Sequence, residues 1–154
     1  MVSVLLINSP IFNEKIEKFE EDSLPPIGLG YIATNLESNG IKVELVDAYA
    51  SNLIPEEICE LIKEQKPQYV CLNIFTSNFA VVKEIVEMSC AGVGFVIGGQ
   101  VVKHVYEEML CWETDNNIDI VIGEGDFIVS DIIRDVLREK PIIETQNRRI
   151  FNVD

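Results

Sequence analysis

The stretch that decides the fold is GVGFVIGGQVVKHVYEEMLCWETDNNIDIVIGEG, residues 92–125. It contains two apolar runs of strand length, 92–99 and 118–125, separated by a helix-like segment at 101–113. Such near-continuous apolar runs are typical of strands buried on both faces of a parallel sheet. Each run ends in glycines, which would leave two turns without bulky side chains at the same edge of that sheet. The stretch therefore predicts a buried strand–helix–strand unit.

The rest of the chain continues this alternation of strand-length and helix-length segments. The additional predicted strands are 2–8, 41–47 and 68–75, and the additional predicted helices are 25–40, 54–66, 78–91 and 126–139. Right-handed crossovers between such strands predict an α/β fold, a three-layer Rossmann-like (flavodoxin-like) doubly wound sheet of five parallel strands with helices on both faces. Residues 1–140 are predicted to form this domain, and residues 141–154 a short hairpin or exit linker.

Composition and charge narrow the class of protein. The chain has 154 residues and a net charge of −14, from 26 acidic and 12 basic residues. That charge repels phosphate backbones and anionic lipid, so we expect neither nucleic acid nor a membrane as partner. The four cysteines lack the close spacing of zinc or iron–sulfur motifs, which favours a reduced, cytoplasmic protein. We expect no membrane span and no signal peptide, because no apolar stretch reaches about 18 residues and no basic region precedes the first strand.

The loops that follow the predicted strands are the expected location of a binding site. In open parallel sheets, ligands bind outside the carboxyl ends of the strands, near the switch in strand order. Most of these loops are short and rich in glycine, serine, threonine or asparagine; they are 8–12, 47–52, 73–78, 98–102 and 123–126. The segment 9–24 after the first strand is longer, as is typical of a lid or binding loop.

Two glycines stand at an unexpected place in the first predicted helix. Gly28 and Gly30 fall in its first turns, directly after Pro25 and Pro26. Glycine inside a helix costs about 1 kcal/mol relative to alanine. Either the missing side chains let a ligand approach the backbone, or they permit tight packing of helix on sheet, and this stretch alone leaves both open. Further glycine pairs follow the fourth and fifth strands at the same predicted edge, which favours the ligand.

Five segments stand out in order along the chain: LLINSP (5–10), LPPIGLGYIATNLESNGIKVELVDA (24–48), TSNF (76–79), VIGGQ (96–100) and DIVIGEGD (119–126). Together they resemble the cobalamin-binding domain at the N-terminus of cobalamin-dependent radical S-adenosylmethionine enzymes. The resemblance runs in register from about residue 3 to residue 139 and makes residues 1–140 the predicted cobalamin-binding domain. It implies that the corrin ring lies flat over the loops and that the nucleotide tail runs down between sheet and helices.

The resemblance also implies a set of cofactor-binding residues. Carried over by position, they are Ser9, Pro10, Pro26, Gly28, Phe75, Thr76, Ser77, Gly98, Gly99, Gln100, Gly123, Glu124 and Gly125. It implies cobalamin as the cofactor, with no iron–sulfur cluster in this chain and no catalytic or metal-ligating residue of its own. The implied partner is a radical S-adenosylmethionine barrel domain of a methyltransferase-type enzyme, in the same parent protein or in a separate chain. We expect no catalysis by this chain alone.

The chain departs from related patterns at several positions. The Asp-x-His-x-x-Gly signature of the other large class of cobalamin domains is absent, and the lone histidine, His104, falls inside a predicted helix. The Gly-Gly-Pro-His often found in the family is replaced by Gly98-Gly99-Gln100-Val101, and no CxxxCxxC cluster motif is present. The lower face of cobalt would then be open, or met by water or a nonligating side chain such as Gln100. The alternative function is a degenerate relative without cofactor that acts as an interaction or regulatory module.

Other cofactors and acceptor chemistries fit less well. The first loop lacks GxGxxG, which disfavours nicotinamide even though Asp47 closes the second strand and is predicted to cap a loop or touch the cofactor. Asn8 and Asn73 stand where a phosphate-accepting receiver domain needs acids, and Ser9 alone does not make a flavodoxin phosphate loop. An enzyme with another nucleotide cofactor remains a third, weaker interpretation.

Several further residues have plainer predicted roles. Glu124 and Asp126 are predicted to cap the last helix rather than to act as an acid–base pair. Cys71 is predicted to be a small buried hydrophobic residue. Arg148 and Arg149 are predicted to be solvated charges, with docking of a neighbouring domain as the alternative.

Overall fold

The computed structural model describes residues 3–17, 26–125 and 127–154. In these ranges the strands are β1 Ser3–Asn8, β2 Lys42–Asp47, β3 Tyr69–Asn73, β4 Gly94–Gly98, β5 Ile118–Ile122, β6 Ile143–Glu144 and β7 Arg148–Asn152. The helices are α1 Ile27–Ser38, α2 Pro55–Gln65, α3 Phe79–Met88, α4 Val102–Met109 and α5 Ile128–Arg134, with a 3-10 turn at Thr76–Asn78 before α3. No helix in this part of the chain is both long and apolar enough to cross a bilayer.

The strands form one mostly parallel sheet in the order β2-β1-β3-β4-β5-β7-β6. Only β6 runs antiparallel to its neighbour, β7. The strand order switches at β1, which has β2 on one side and β3 on the other. Asn8 at the end of β1 lies opposite Asp47 of β2, and Asn73 of β3 lies opposite Gly98 of β4. The carboxyl ends of the central strands therefore meet at one edge, and the predicted α/β class is confirmed.

The strand count is where the sheet differs from the prediction. Five parallel strands were expected, but the tail 141–154 adds two more to the sheet. β7 pairs in parallel with β5, and β6 folds back on β7 as a short hairpin. The hairpin is held to the sheet because Ile150 and Phe151 are both fully buried, one on each face.

Successive residues of each strand pack on opposite faces of the sheet, as the period of two requires. On one face, called here the α2–α4 face, helices α2, α3 and α4 cover strand residues such as Leu72, Phe95 and Ile97. On the other, called the α1/α5 face, only α1 and α5 cover residues such as Cys71 and Val96. Burial on both faces explains the continuous apolar runs of β3 to β5.

Arg148 is buried and Arg149 is partly buried in an ion pair, so the prediction of solvated charges is wrong for both. Arg148 is 3% exposed, and its guanidinium donates to the carbonyls of Trp112, Thr114 and Asn116 in the loop before β5. Arg149 donates twice to the buried Asp119 carboxylate, at 2.6 and 3.0 Å. Burial lowers the pKa of Arg148, while hydrogen bonding to Asp119 raises the pKa of Arg149. Arg148 is fully buried and Arg149 partly buried because β7 is a strand of the sheet.

Helical spacing in α1 predicts an inward face through Ile27, Tyr31 and Leu36, and of these only Leu36 is buried. Ile27 and Tyr31 are 66% and 64% exposed, whereas Leu29 and Leu36 are buried. Apolar and small residues surround the first turns of α1 on all sides, so spacing alone does not identify the inward face. At the start of α5, the N-cap is Phe127 without a side-chain hydrogen bond, so no capping by Glu124 is seen. Asp126, the other predicted cap, lies outside the described residues.

Candidate functional site

A cavity of about 730 Å³ opens at the carboxyl edge of the sheet and continues onto the α1/α5 face. Its floor is formed by Cys71, Val96 and Val121, from three adjacent parallel strands. Its walls include Ile32 of α1 and Val129 of α5. The cavity therefore has two parts, a mouth among the loops and a groove between the sheet and these two helices.

The mouth is lined mainly by polar and small residues, with a few apolar and aromatic ones, at the ends of β1 to β5 and in the loops that follow. These are Asn8, Ser9, Ile11, Tyr49, Asn73, Phe75, Ser77, Asn78, Gly98, Gly99, Gln100, Gly123 and Gly125. Among the described residues, neither a charged side chain nor a histidine lines the cavity. In a chain with a net charge of −14, this neutral lining suits a large ligand rich in uncharged polar groups. Neither a carboxylate nor an imidazole is placed there for general acid–base work.

The structure brings most of the predicted site residues together. Ten of the thirteen line the cavity: Ser9, Pro26, Gly28, Phe75, Ser77, Gly98, Gly99, Gln100, Gly123 and Gly125. The other three do not line it, since Pro10 is buried elsewhere and Thr76 and Glu124 are exposed outside it. Their contacts with a cofactor stay predictions.

The resemblance implied a nucleotide tail between the sheet and the helices, but the residues that form this groove were not identified from the sequence. Its floor residues were assigned to core strands, and Leu29 and Ile32 of α1 were not singled out. A signal was present for the floor, because Cys71 and Val96 are paired in register and so share a face of the sheet. What the strand pattern lacks is any sign that α1 and α5 leave room above that face.

The glycines at the mouth serve different purposes. A Cβ on Gly28 would meet nothing within 4 Å, and Gly28 lines the cavity, so its missing side chain leaves the entrance open. Gly30 is equally free of neighbours but does not line the cavity. Gly99 has φ +143°, and a Cβ there would collide with the carbonyl of Ile74. Of the two α1 glycines, only Gly28 therefore leaves space at the cavity through which a ligand could approach.

Three side chains at the carboxyl ends of β2, β1 and β3 form a hydrogen-bonded row, called here the Asp47–Asn8–Asn73 relay. Asn8 Nδ2 donates to Asp47 Oδ1 over 2.9 Å, and Asn73 Nδ2 donates to Asn8 Oδ1 over 2.7 Å. Asn73 Oδ1 then accepts from the backbone N–H of Ser9 over 2.9 Å. Because a carboxylate only accepts, the orientation of each amide follows from Asp47. Asp47 also accepts from Ala50 N, the loop-capping role predicted for it.

A second amide organises the loop after β3. Asn78 is 1% exposed, and its Oδ1 accepts from the backbone N–H of Phe75 over 2.7 Å. Its Nδ2 donates to the carbonyl of Asn73 over 3.3 Å. These bonds set the 3-10 turn that carries Ser77 to the mouth and leaves Phe75 45% exposed beside it.

Two cavity residues have notable protonation or hydrogen-bonding states. Burial raises the pKa of the Cys71 thiol to about 12, so Cys71 is a neutral part of the floor. Ser9 is 4% exposed, and among the described residues no group hydrogen-bonds to its hydroxyl. A buried hydroxyl without a partner costs about 1–3 kcal/mol, so a ligand oxygen at this position would relieve that cost.

Metal-binding side chains are not gathered in this site. In the described ranges there is no group of three or more His, Cys, Asp or Glu side chains able to hold a metal ion. His104 lies exposed on α4, away from the cavity lining. Four large apolar side chains in the segments that reach this edge are exposed: Ile27 and Phe75 line the cavity, and Phe12 and Phe127 lie next or close in sequence to the lining residues Ile11 and Gly125. We call Phe12, Ile27, Phe75 and Phe127 the apolar rim.

Comparison with known proteins identifies a family and a related fold. The family model described as the B12 binding domain matches residues 20–133. Among curated proteins none matches. The chain is similar to a solved structure of TsrM from Kitasatospora setae, a radical S-adenosylmethionine methyltransferase with tryptophan substrate and the analogue aza-SAM bound. The two share 19% identity with a TM-score of 0.62, over 88% of this chain and 26% of TsrM, so this likeness concerns the fold alone.

Proposed function

This chain belongs to the B12-binding domain family, and we propose that it holds cobalamin in the cavity at the carboxyl edge of its sheet. The observation that carries the proposal is the shape and neutrality of that cavity. A corrin is a broad, flat macrocycle with a rim of uncharged amides, and the mouth offers small residues and neutral hydrogen-bonding groups. The narrower nucleotide tail would enter the groove and lie on Cys71, Val96 and Val121.

The residues present fit this group on three counts. Gly28 leaves the entrance free of side-chain atoms. The unpartnered hydroxyl of Ser9 needs a hydrogen-bond partner inside the cavity. The tail carries a phosphodiester charge, and no carboxylate lines the described walls to repel it. The two parts of the cavity thus match the two parts of the cofactor.

The lower face of the cobalt would receive no histidine from this chain. The sequence contains one histidine, and it lies on α4 outside the cavity. Gln100 is the exposed polar side chain at the mouth after β4, and it belongs to the lining. We propose that the lower face is left to water or to this nonligating amide.

We further propose that the chain presents the cofactor to a radical S-adenosylmethionine catalytic domain, in the same parent protein or in a separate chain. Bound cobalamin supplies a cobalt centre able to carry a methyl group. The part of this chain is to bind the cofactor and to orient it at the mouth of the cavity. The exposed apolar rim supports a partner near the mouth, because exposed apolar patches mark interaction surfaces. TsrM, of which this chain spans about a quarter, is named as such an enzyme.

The test is reconstitution with hydroxocobalamin, followed by desalting and a visible spectrum. The wild type should retain corrin absorbance at close to one equivalent. A matched pair of variants locates the site, since Gly28 and Gly30 both have free space but only Gly28 lines the cavity. Gly28→Phe should lose most of the bound corrin, and Gly30→Phe should keep it. Wild-type protein that elutes free of corrin would end the proposal.

The second candidate function is an interaction module that has lost the cofactor. Two features favour it. The exposed apolar rim could contact a protein partner without any cofactor, and a chain that no longer binds cobalamin would not need an imidazole for cobalt. The same spectrum separates the two: this candidate requires no retained corrin together with capture of a partner that Phe127→Ser abolishes. A response of the melting temperature to nicotinamide or flavin nucleotides, but not to cobalamin, would instead favour the third interpretation.

A further inference from the structure

Ser9 and Ser77 both present hydroxyls to the cavity, but at different depths. Ser77 is exposed at the mouth, in the 3-10 turn after β3. Ser9 is 4% exposed and lies just past the end of β1, where the strand order switches. A corrin lying over the loops reaches the level of Ser77. Only a narrower group that enters the cavity reaches Ser9.

The backbone of Ser9 is held by a hydrogen bond, whereas its hydroxyl forms none with the described residues. Its backbone N–H is fixed by Asn73 Oδ1, the last bond of the Asp47–Asn8–Asn73 relay. That relay runs across three strand ends, and in it each of the two asparagine amides donates one hydrogen bond and accepts one. Within ranges 3–17, 26–125 and 127–154 the hydroxyl itself has no hydrogen-bond partner. A rigidly held, buried and unsatisfied donor inside a neutral cavity is the feature expected of a ligand contact.

We propose that the Ser9 hydroxyl hydrogen-bonds the phosphate–ribose segment of the nucleotide tail and that the Asp47–Asn8–Asn73 relay positions it. This inference rests on the proposed binding of cobalamin. Its chemical basis is that the tail carries an anionic acceptor while the described cavity walls offer no cation, so neutral donors must meet it. Ser9 is the buried hydroxyl available for that contact. Ser77, by contrast, serves the amide rim of the corrin.

The experiment compares hydroxocobalamin with cobinamide, which has the corrin but lacks the nucleotide tail. Dissociation constants for both are measured by absorbance titration of the wild type, Ser9→Ala and Ser77→Ala. Ser9→Ala should weaken cobalamin binding about tenfold, the factor expected for one hydrogen bond to a charged acceptor. It should leave cobinamide binding within about twofold of the wild type. Ser77→Ala should weaken both ligands by the same factor.

The melting temperatures of the apoprotein variants show whether a loss of binding comes from the missing hydroxyl or from misfolding. Ser130 is a matched control, because its hydroxyl is also buried and unpartnered but does not line the cavity. Removing either hydroxyl should leave the melting temperature of the apoprotein unchanged or raise it by about 2 °C. Ser130→Ala should leave cobalamin binding unchanged. Ser9→Thr, which keeps the hydroxyl, should restore part of the lost affinity.

The outcomes separate this inference from the proposed function. If Ser9→Ala weakens cobalamin and cobinamide equally, or neither, the assignment to the tail is overturned while corrin binding stands. If the wild type binds cobinamide as tightly as cobalamin, the tail does not use the cavity and the inference fails. If the wild type binds neither ligand, the proposed function itself fails.

Discussion

The two faces of the sheet are built from alternate residues of the same strands, yet they have different uses. Three helices cover the α2–α4 face, and residues such as Phe95, Ile97 and Ile85 are fully buried there. Two helices cover the α1/α5 face, and the side chains of Cys71 and Val96 form the floor of a cavity of about 730 Å³. An apolar strand residue thus becomes core or binding surface according to the helices above it.

The largest expected effect separates neighbouring residues on the two faces. Phe95→Ala should lower the free energy of unfolding by about 3–5 kcal/mol, because it leaves an enclosed void on the filled face. Val96→Ala should cost about 1 kcal/mol, since it enlarges a cavity that already exists. Urea unfolding of the apoproteins measures both. Equal costs would contradict the difference drawn between the two faces.

The next effect concerns the polar part of the α1/α5 face, away from the cavity. Asp119→Asn should destabilise the apoprotein by about 2 kcal/mol, because Arg149 would lose its anionic partner and one of the two oxygens that accept its hydrogen bonds. Arg138→Ala is the matched control. Its guanidinium pairs with Asp131 but its side chain is 74% exposed, so the cost should stay under about 1 kcal/mol. Thermal unfolding at low and high salt compares the two, and an equally small loss for Asp119→Asn would contradict a buried pair.

The pH dependence of the free energy of unfolding tests whether the Cys71 thiol in the cavity floor is excluded from solvent. The pKa of Cys71 is about 12 in the folded protein, above the ordinary thiol value of 9.0. As pH rises above 9, the unfolded thiol ionises while the folded one does not, so stability falls between pH 9 and 12. At pH 10 this contribution is about 1 kcal/mol. Cys71→Val removes this contribution, so between pH 8 and pH 10 the wild type should lose about 1 kcal/mol of stability relative to Cys71→Val. An unchanged difference would mean that the thiol is solvated.

The smallest expected effect is at the edge where the two faces meet. Asp47→Ala frees the Asn8 amide and loosens the hold of Asn73 on Ser9. Cobalamin affinity should fall about threefold, or about 0.6 kcal/mol. Glu44→Ala, an exposed carboxylate on the same strand, should have no effect. Titration of both variants with hydroxocobalamin decides the point, and matching affinities would show that the relay does not position the site.

Much of the fold was predictable because strands buried on both faces have an unmistakable composition. The apolar runs of β3, β4 and β5 sufficed for a parallel sheet covered by helices. The strand at Arg148–Asn152 was not predictable in this way, because two arginines at its start are typical of a solvated tail. Arg149 becomes acceptable in a sheet only beside Asp119, which lies thirty residues away in the chain. Local pattern does not contain that pairing.

The candidate site divides along the same line. The mouth was predictable, since strand-to-helix loops of a parallel sheet must gather at one edge and ten of thirteen predicted residues line the cavity there. The relay was not, although both of its asparagines had been noted as departures from receiver domains. Whether Asn8 and Asn73 hydrogen-bond each other depends on the register between β1 and β3. Register is a property of the assembled sheet.

The amino-acid sequence by itself determined the alternation of strands and helices, the edge at which loops collect, and the low glycine turns along that edge. These follow from side-chain periodicity and backbone freedom, which act over a few residues. Only the tertiary structure decided that the tail joins the sheet, that Ser9 is buried without a partner, and that α1 and α5 leave a groove above Val96. Those features depend on how helices pack across the sheet, where the spacing of distant elements decides whether apolar surface is filled or left open.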